Sequence, residues 1–172
     1  GEHYANVTNR TLNVTNVTTG MNNYYFRCKV TGSCGSPVYS EYAKLAVDIA
    51  QPVVRAEDAT WPCTGEVSQD ILVEHFDNIG AFSLVIDYDT NYLRYLEHFD
   101  VNPAIDQNSF VINHTMGRIY VTYASGAALN LGNATLFKLR FDSSGGNSTN
   151  RWQTSLCEVA DIDGNVFETN YA

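Results

Sequence analysis

The sequence predicts an all-β protein built around a two-sheet β-sandwich, and three observations support this fold class. Apolar and polar residues alternate with a period of two in several separate runs. Turn-forming pairs such as Asn102-Pro103 and Asp163-Gly164 separate these runs at short intervals. Between the runs there is no long stretch with helical periodicity. Strands at this spacing are typical of a sandwich or a barrel.

The clearest strands lie in the second half of the chain. Three runs place their apolar residues on one side: Phe82, Leu84, Ile86 and Tyr88; Ile119, Val121 and Tyr123; Phe137, Leu139 and Phe141. In the third run, Lys138 and Arg140 lie on the opposite side. Each run therefore predicts a strand with one face in the core and one in water. Residues 92–96 are compatible with a short helical turn.

The first 48 residues alternate in the same way and predict about three strands. The residues that would share a face within each strand are Leu12 and Val14; Tyr24, Phe26, Cys28 and Val30; Ala43, Leu45 and Val47. A hairpin is expected at residues 32–37. Pro52 would interrupt a continuing ladder. The predicted organisation is therefore a small β-segment at 1–48, a linker at 49–52 and a sandwich at 53–172.

Composition excludes several classes of protein. Hydrophobic residues make up 44% of the 172, which is enough for a packed core. The net charge is -9, and the ten basic residues form no basic stripe in the sequence, so nucleic acid is not an expected partner. No apolar run approaches the roughly 18 to 20 residues of a spanning helix, so membrane insertion of this segment is not expected.

The four cysteines favour disulfides in an oxidising compartment over a metal site. Cys28, Cys34, Cys63 and Cys157 form no CxxC pair, and the four histidines are scattered. The ligand spacing of a zinc site is therefore missing. An even number of isolated cysteines in an acidic, β-rich chain is typical of a secreted or cell-surface protein.

Two family resemblances refine this prediction. Residues 11–47, TLNVTNVTTGMNNYYFRCKVTGSCGSPVYSEYAKLAV, resemble the second half of the Ig-like repeats of large surface proteins from Bacteroidetes-type bacteria. The strand with Cys28 and the final AKLAV strand match that pattern. Phe26 departs from it, because an Ig tyrosine corner has Tyr at this position. The resemblance implies the last three strands of an Ig-like domain.

Residues 52–172 resemble cohesin-like modules. The matching stretches are FDNIGAFSLVIDYDTNYLRYL (76–96), GRIYVTYAS (117–125), ATLFKLRFD (134–142) and CEVADIDGNV (157–166). The resemblance implies a jelly-roll sandwich related in shape to carbohydrate-binding modules. Cellulosomal cohesins bind dockerins, but cohesin-like domains also occur outside cellulosomes. The fold alone therefore does not define the ligand.

The resemblances also suggest disulfide pairings. First and last strands are neighbours in such sandwiches, so a bridge between Cys63 and Cys157 would be possible. The Ig-like strand that would hold a partner for Cys28 is absent. Cys28 is left with two alternatives, a bond to Cys34 across the hairpin or a bond to another chain.

Two acidic groups are candidate sites. Asp161, Asp163 and Asn165 alternate before and after a Gly, a spacing that can supply oxygen ligands to calcium, although a hairpin turn is favoured. Asp87 and Asp89 share a face at a strand end, where a solvated end closed by an Asx turn is favoured over acid–base chemistry. Neither GxSxG nor a P-loop occurs. The sequence therefore predicts no catalytic residue and no enzyme.

Exposed aromatic residues are candidates for stacking on sugars. Trp61 and Tyr120 are expected to point outward, whereas Tyr123 and Trp152 are expected in the core. Two exposed rings are too few to form a sugar-binding platform. Seven N-x-S/T sequons are candidate glycosylation sites and favour an exposed protein: Asn6, Asn9, Asn13, Asn16, Asn113, Asn133 and Asn147.

The sequence thus predicts a non-catalytic structural or adhesive module of a large secreted or cell-surface bacterial protein. A neighbouring copy of the chain could complete its partial Ig-like segment by strand complementation. The alternative is a binding module for a dockerin-like protein or a surface polysaccharide. No cofactor is expected, except calcium if the Asp161 loop binds it.

Overall fold

A computed structural model describes residues 3–47, 50–57, 64–146 and 150–172 of the chain. The chain divides into two compact units, Gly1–Ala50 and Gln51–Ala172. The boundary lies inside the stretch 49–52 that was predicted as a linker. Across the described ranges, no helix is long and apolar enough to cross a membrane.

The first unit consists of very short antiparallel ladders. The strands among its described residues are β1 (Tyr4–Ala5), β2 (Asn13–Val14), β3 (Tyr25–Phe26), β4 (Lys29–Val30), β5 (Val38–Tyr39) and β6 (Ala43–Lys44). They pair as β1–β2, β3–β6 and β4–β5. The hairpin expected at 32–37 is confirmed, because β4 and β5 pair on either side of it. The expectation of about three longer strands was wrong: each ladder is only two residues long.

Little apolar surface is buried in this unit, which explains why its ladders are short. Among its described residues, Met21 is the hydrophobic side chain that is buried. Phe26 and Tyr4 are half-buried and meet edge to face, with ring centroids 5.8 Å apart. Short two-stranded ladders are stable only when apolar packing supports them, and here that packing is slight.

The second unit contains two sheets. Its strands are β7 (Val53–Ala56), β8 (Gly65–Phe76), β9 (Ile79–Asp87), β10 (Leu93–Phe99), β11 (Phe110–Thr115), β12 (Arg118–Leu129), β13 (Gly132–Ser143), β14 (Arg151–Trp152), β15 (Glu158–Asp161) and β16 (Asn170–Tyr171). Sheet A has the order β10-β13-β8-β7-β16. Sheet B has the order β11-β12-β9, and β14 and β15 pair in succession with β9. The predicted all-β sandwich is confirmed.

The core lies between the inward sides of these sheets. All three apolar runs identified by alternation are buried, in β9 with Tyr88 after it, in β12 and in β13. Phe82 stacks on Tyr123 at 5.2 Å, and Phe110 from β11 meets Phe137 from β13 at 5.7 Å between ring centroids. Such aromatic pairs add stability beyond the area that they bury. Tyr123 is therefore a core residue, as predicted.

The two ends of the unit's chain lie side by side. β16 pairs in parallel with β7, with Asn170 opposite Val53. Trp152 packs against the core, as predicted, and its indole N–H donates to the carbonyl of Ala172 at 2.8 Å. The first and last strands of the sandwich are thus neighbours.

The helical turn considered at residues 92–96 is absent, because most of this segment lies in β10. The turn ahead of β10 is formed by Asp89, whose Oδ1 accepts from the backbone N–H of Asn91 at 2.9 Å. This contact is the Asx turn expected at the strand end. Leu93 and Tyr95 then pair with Ser143 and Phe141 of β13.

Candidate functional site

The outward side of sheet A, here called the A face, is covered by ion pairs. The cation–carboxylate distances are 3.3 Å for Arg55–Glu74, 2.9 Å for Arg94–Asp142, 3.5 and 3.6 Å for Lys138 with Asp70 and Asp100, and 2.7 Å for Arg140–Glu97. Exposed ion pairs of this kind each contribute about 0–1 kcal/mol to the stability of the fold. Their main effect is a surface of alternating charge that is well solvated.

The outward side of sheet B, here called the B face, has an uncharged centre. The cross-strand rows over β11, β12 and β9 are Val111–Thr122–Ser83, Asn113–Tyr120–Val85 and the pair Ala124–Ala81. Val85 is buried in this set, whereas the members from β11 and β12 are exposed. Glu158 continues the first row at the β15 edge. A centre depleted in charge is what distinguishes interface cores from ordinary protein surface.

One end of the B face is charged and strongly ordered. Arg118 and Asp87 are cross-strand partners, and the guanidinium holds both carboxylate oxygens, with Nε–Oδ1 at 2.5 Å and Nη2–Oδ2 at 2.8 Å. Gln153 donates to the same carboxylate at 2.7 Å. Bidentate pairs fix geometry as well as charge. Arg151 lies opposite Asp87 on β14, and its charge makes the smallest of the contributions that lower the pKa of this carboxyl.

The hydrogen bond from Arg118 is the main cause that lowers the pKa of Asp87, followed by the charge of Arg118, and these outweigh the opposing effect of burial. In the other direction, Asp87 raises the pKa of Arg118, with a smaller contribution from Tyr120. Asp87 therefore remains a carboxylate at neutral pH. A general acid or base would need a pKa near the working pH, so this pair orders the surface rather than carrying a proton.

The β11–β12 hairpin ends in an exposed methionine beside this charged end. Gly117, the second residue of the two-residue turn, adopts a positive φ of 83°, which a type II turn requires at that position. The side chain before it, Met116, is 89% exposed. The hairpin tip, Arg118 and Tyr120 border an open cleft of about 390 Å³. A flexible apolar side chain next to an ordered ion pair is typical of adaptable binding surfaces.

The Asp161 loop is a hydrogen-bonded turn. Asp161 Oδ1 accepts from the backbone N–H groups of Asp163 and Asn165 at 2.9 and 2.8 Å, and Oδ2 accepts from the Asn165 side chain at 2.8 Å. The hydrogen bond from Asn165 is the largest cause that lowers the pKa of Asp161. Within the described ranges, no group of three or more His, Cys, Asp or Glu is arranged to hold a metal ion. The favoured hairpin-turn interpretation fits this geometry, and calcium binding stays a prediction.

Three of the cysteines are free thiols in the structure. Cys28 and Cys34 are exposed, and no bond joins them. Cys157 is half-buried and lies against the backbone of Val85. Cys63 falls outside the described residues. Disulfide pairing therefore stays a prediction for all four cysteines.

The two stacking candidates have separate outcomes. Tyr120 points outward, as predicted, and is 37% exposed on the B face. Trp61 lies outside the described residues. The structure therefore brings no second exposed ring to Tyr120 within its cross-strand row, whose other members are Asn113 and Val85.

Six of the seven sequon asparagines are described, and all six are exposed: Asn6, Asn9, Asn13, Asn16, Asn113 and Asn133. The seventh, Asn147, falls outside the described residues. Asn113 lies on the B face, and the Oδ1 of Asn133 accepts from the backbone N–H of His75 at 3.0 Å. Glycosylation stays a prediction.

Sequence reasoning missed the residues that give the B face its character. The alternation placed Tyr120 outward. It could not show that Arg118 pairs with Asp87, because that contact depends on the register between β9 and β12. The opposite charges at the two strand ends were the available signal.

Comparison with known proteins supports the fold through structure alone. No family model matches the chain, and no curated protein matches it. A type I cohesin–dockerin complex from Clostridium thermocellum contains a similar chain, with a TM-score of 0.63 and 15% identity, covering 72% of this chain and 95% of that one. The two-sheet unit has the cohesin fold.

Two further cohesins give the same result. The sixth cohesin of scaffoldin B from Acetivibrio cellulolyticus, solved in complex with a Cel5 dockerin, has a TM-score of 0.63 and 12% identity, covering 72% of this chain and 95% of that one. A non-cellulosomal cohesin from the archaeon Archaeoglobus fulgidus has a TM-score of 0.59 and 24% identity, covering 71% and 86%. The jelly-roll predicted from the resemblance is confirmed. The Ig-like relationship of residues 11–47 has no support from these comparisons and stays a prediction.

Proposed function

We propose that the cohesin-fold unit is a non-catalytic protein-binding module whose B face engages a dockerin-like partner. The observation behind this proposal is the contrast between its two outward faces. The A face is covered by compensated charges, whereas the B face has an uncharged centre with an ordered ion pair at one end. Burying the A face would require desolvation of several ion pairs, which is costly. Burying the centre of the B face carries no such cost.

The solved relatives support a protein partner. Two of the similar cohesins were determined in complexes with dockerins. The non-cellulosomal archaeal cohesin is a further relative. We therefore propose the partner class, a dockerin-like module, without assigning a cellulosome. The proposal keeps the secreted or cell-surface location that was predicted from the sequence.

The test is binding by the full chain to a panel of dockerin modules, starting with the dockerin of the Clostridium thermocellum complex, followed by calorimetry. Thr122→Glu places a charge at the centre of the B face. It should weaken binding by at least about tenfold, because a carboxylate would be desolvated without a partner. Ser68→Glu places the same charge on the A face, where Ser68 lies opposite Arg140, and should leave the affinity unchanged.

Equal weakening by both variants, with both chains folded, would reject the B face as the binding surface. Binding of a polysaccharide with no dockerin bound would favour the second ligand predicted from the sequence. In that case Tyr120→Ala should abolish glycan binding, since a ring on this face would be the stacking group.

We also propose, as a second candidate function, that the first unit contributes to assembly by strand complementation. Each of its three ladders has two strands, so its described strands expose backbone edges. An added strand would extend a ladder and cover the apolar side near Phe26. This would suit the structural or adhesive role predicted from the sequence. A monomer by light scattering, with residues 12–47 well protected from hydrogen exchange, would contradict complementation.

A further inference from the structure

A second surface, on the first unit, gathers cations and tyrosines on one side of the ladders. Lys44 lies opposite Tyr25, and Lys29 lies opposite Tyr39. Contacts of Arg27 and Tyr42 with the rings of these pairs bring six exposed residues together. This surface, here called the Arg27 face, consists of Tyr25, Arg27, Lys29, Tyr39, Tyr42 and Lys44.

The tyrosines hold the arginine in place. The guanidinium carbon of Arg27 lies 4.1 Å from the ring centroid of Tyr39 and 5.0 Å from that of Tyr42. Tyr25 meets Tyr42 edge-on at 6.3 Å, and the ammonium of Lys29 lies 5.9 Å from the Tyr39 ring. Stacking uses the flat sides of a guanidinium and leaves the N–H groups at its edge available. The edge of Arg27 is thus positioned for an anion.

The cations of this face have no carboxylate partner in the described part of the chain. Arg27, Lys29 and Lys44 make no ion pair there, and neither does the nearby Glu41. Of the six cations of the second unit, five are ion-paired, and Arg151 has no ion pair with a described residue. In a chain with 19 acidic and ten basic residues, three adjacent cations without a carboxylate partner are unusual. Within the described ranges, no carboxylate therefore pairs with the cations of this surface.

The matching charge is present in the same molecule. Residues 1–50 contain four basic and three acidic residues, whereas residues 51–172 contain six basic and 16 acidic residues. The two units therefore carry charges of opposite sign, and almost all of the negative charge is on the cohesin-fold unit. Complementary charge steers association and selects the partner surface.

We propose that the Arg27 face of one copy of the chain binds the acidic cohesin-fold unit of a second copy. The two surfaces in this contact are different, so the contact is heterologous. A heterologous contact that does not close generates an open chain of copies. The association is electrostatic and therefore differs from strand complementation, which depends on backbone hydrogen bonds.

Light scattering of the full chain over a concentration series tests the proposal. At about 10 mM ionic strength, where the Debye length is about 30 Å, the mass should rise with concentration. At about 1 M it should return to that of one copy, since the Debye length is then about 3 Å. A single-copy mass at every concentration and low salt overturns the proposal, and so does a larger mass that is insensitive to salt.

Charge reversal locates the contact. The double variant Arg27→Glu with Lys44→Glu should weaken self-association by about tenfold or more at low salt, because attraction becomes repulsion. The control Arg10→Glu reverses an exposed cation of the same unit that lies in the turn between β1 and β2, and should leave the mass unchanged. A stronger effect of the control than of the double variant overturns the assignment.

Mixing separates a heterologous contact from a symmetric one. The double variant keeps an intact acidic unit, so it should still bind the Arg27 face of the wild type and shorten its chains. A symmetric contact would exclude the variant from wild-type assemblies. If the wild type stays a single copy but binds an anionic polysaccharide that the double variant does not bind, the face belongs to that glycan and the proposal fails.

Discussion

The sulfur of Cys157 forms the hydrogen bond with the backbone of Val85 that a neighbouring strand would otherwise form at this edge of β9. Its Sγ accepts from the backbone N–H of Val85 at 3.2 Å, in the gap between β14 and β15. The carbonyl of Val85 accepts from the backbone N–H of Gln153 at 2.9 Å. Burial raises the pKa of the Cys157 thiol, which keeps it protonated at neutral pH. The edge strand is therefore discontinuous, yet both backbone groups of Val85 are satisfied.

Cys157→Ala should lower the free energy of unfolding by about 1–3 kcal/mol, because the N–H of Val85 would lose its acceptor in a half-buried position. Cys157→Ser keeps an acceptor and should cost less. Urea denaturation of the wild type and both variants provides the measurement. Equal stability of the Ala and Ser variants would show that this hydrogen bond does not matter.

Gly80→Ala should destabilise the sandwich by about 1–3 kcal/mol through overpacking. A Cβ at this position would lie 2.6 Å from the carbonyl oxygen of Asp161 and 2.7 Å from the Cα of Ile162, and backbone atoms cannot move aside easily. Gly126→Ala in β12 is the control, since a Cβ there meets nothing within 4 Å. The thermal midpoint of Gly80→Ala should be lower than that of the wild type, whereas the midpoint of Gly126→Ala should be unchanged.

Asp87→Asn should change how stability depends on pH. The pKa of Asp87 is lowered in the folded state from its ordinary 3.8, chiefly by the hydrogen bond from Arg118. A carboxyl whose pKa is lowered on folding contributes stability above its unfolded pKa and loses it as the pH falls through the folded value. Near neutral pH, the free energy of unfolding of the wild type should therefore be about 1 kcal/mol higher than that of Asp87→Asn.

That difference should shrink below about pH 4 as Asp87 takes up a proton. Denaturant unfolding of both proteins from pH 7 to the acid limit measures it. A difference that stays constant across this range would mean that Asp87 does not supply the acid-sensitive stability. Arg118 remains charged throughout and adds no titration of its own.

From the hydrogen bonds of the Asp161 loop, we expect that the stability of the protein does not depend on calcium. The oxygens of Asp161 accept from Asp163 and Asn165, so hydrogen bonds within the loop hold the turn. Asp161→Ala should cost about 1 kcal/mol by removing these hydrogen bonds, whereas Asp163→Ala should be nearly neutral. Thermal midpoints with calcium and with a chelator should coincide. A midpoint that rises with calcium would favour the calcium site that the sequence offers as the alternative.

The alternation of apolar residues was sufficient to predict the core strands of the second unit. In β9, β12 and β13 one side of each strand is buried, so a period of two is visible in the sequence. The same reasoning gave too long a strand for residues 24–30, where pairing stops after two residues and Cys28 is exposed. Local pattern cannot show that burial is missing, since burial depends on what covers the strand.

What the sequence by itself determined was the fold class, the inward residues of the sandwich and the turns between its strands, because these follow from short-range periodicity and turn chemistry. Only the tertiary structure decided which side chains meet. Asp87 and Arg118, Cys157 and Val85, and Arg27 and Tyr39 are separated by 12 to 72 residues. Their contacts depend on strand order and register, and a shift of one residue would move each side chain to the other face.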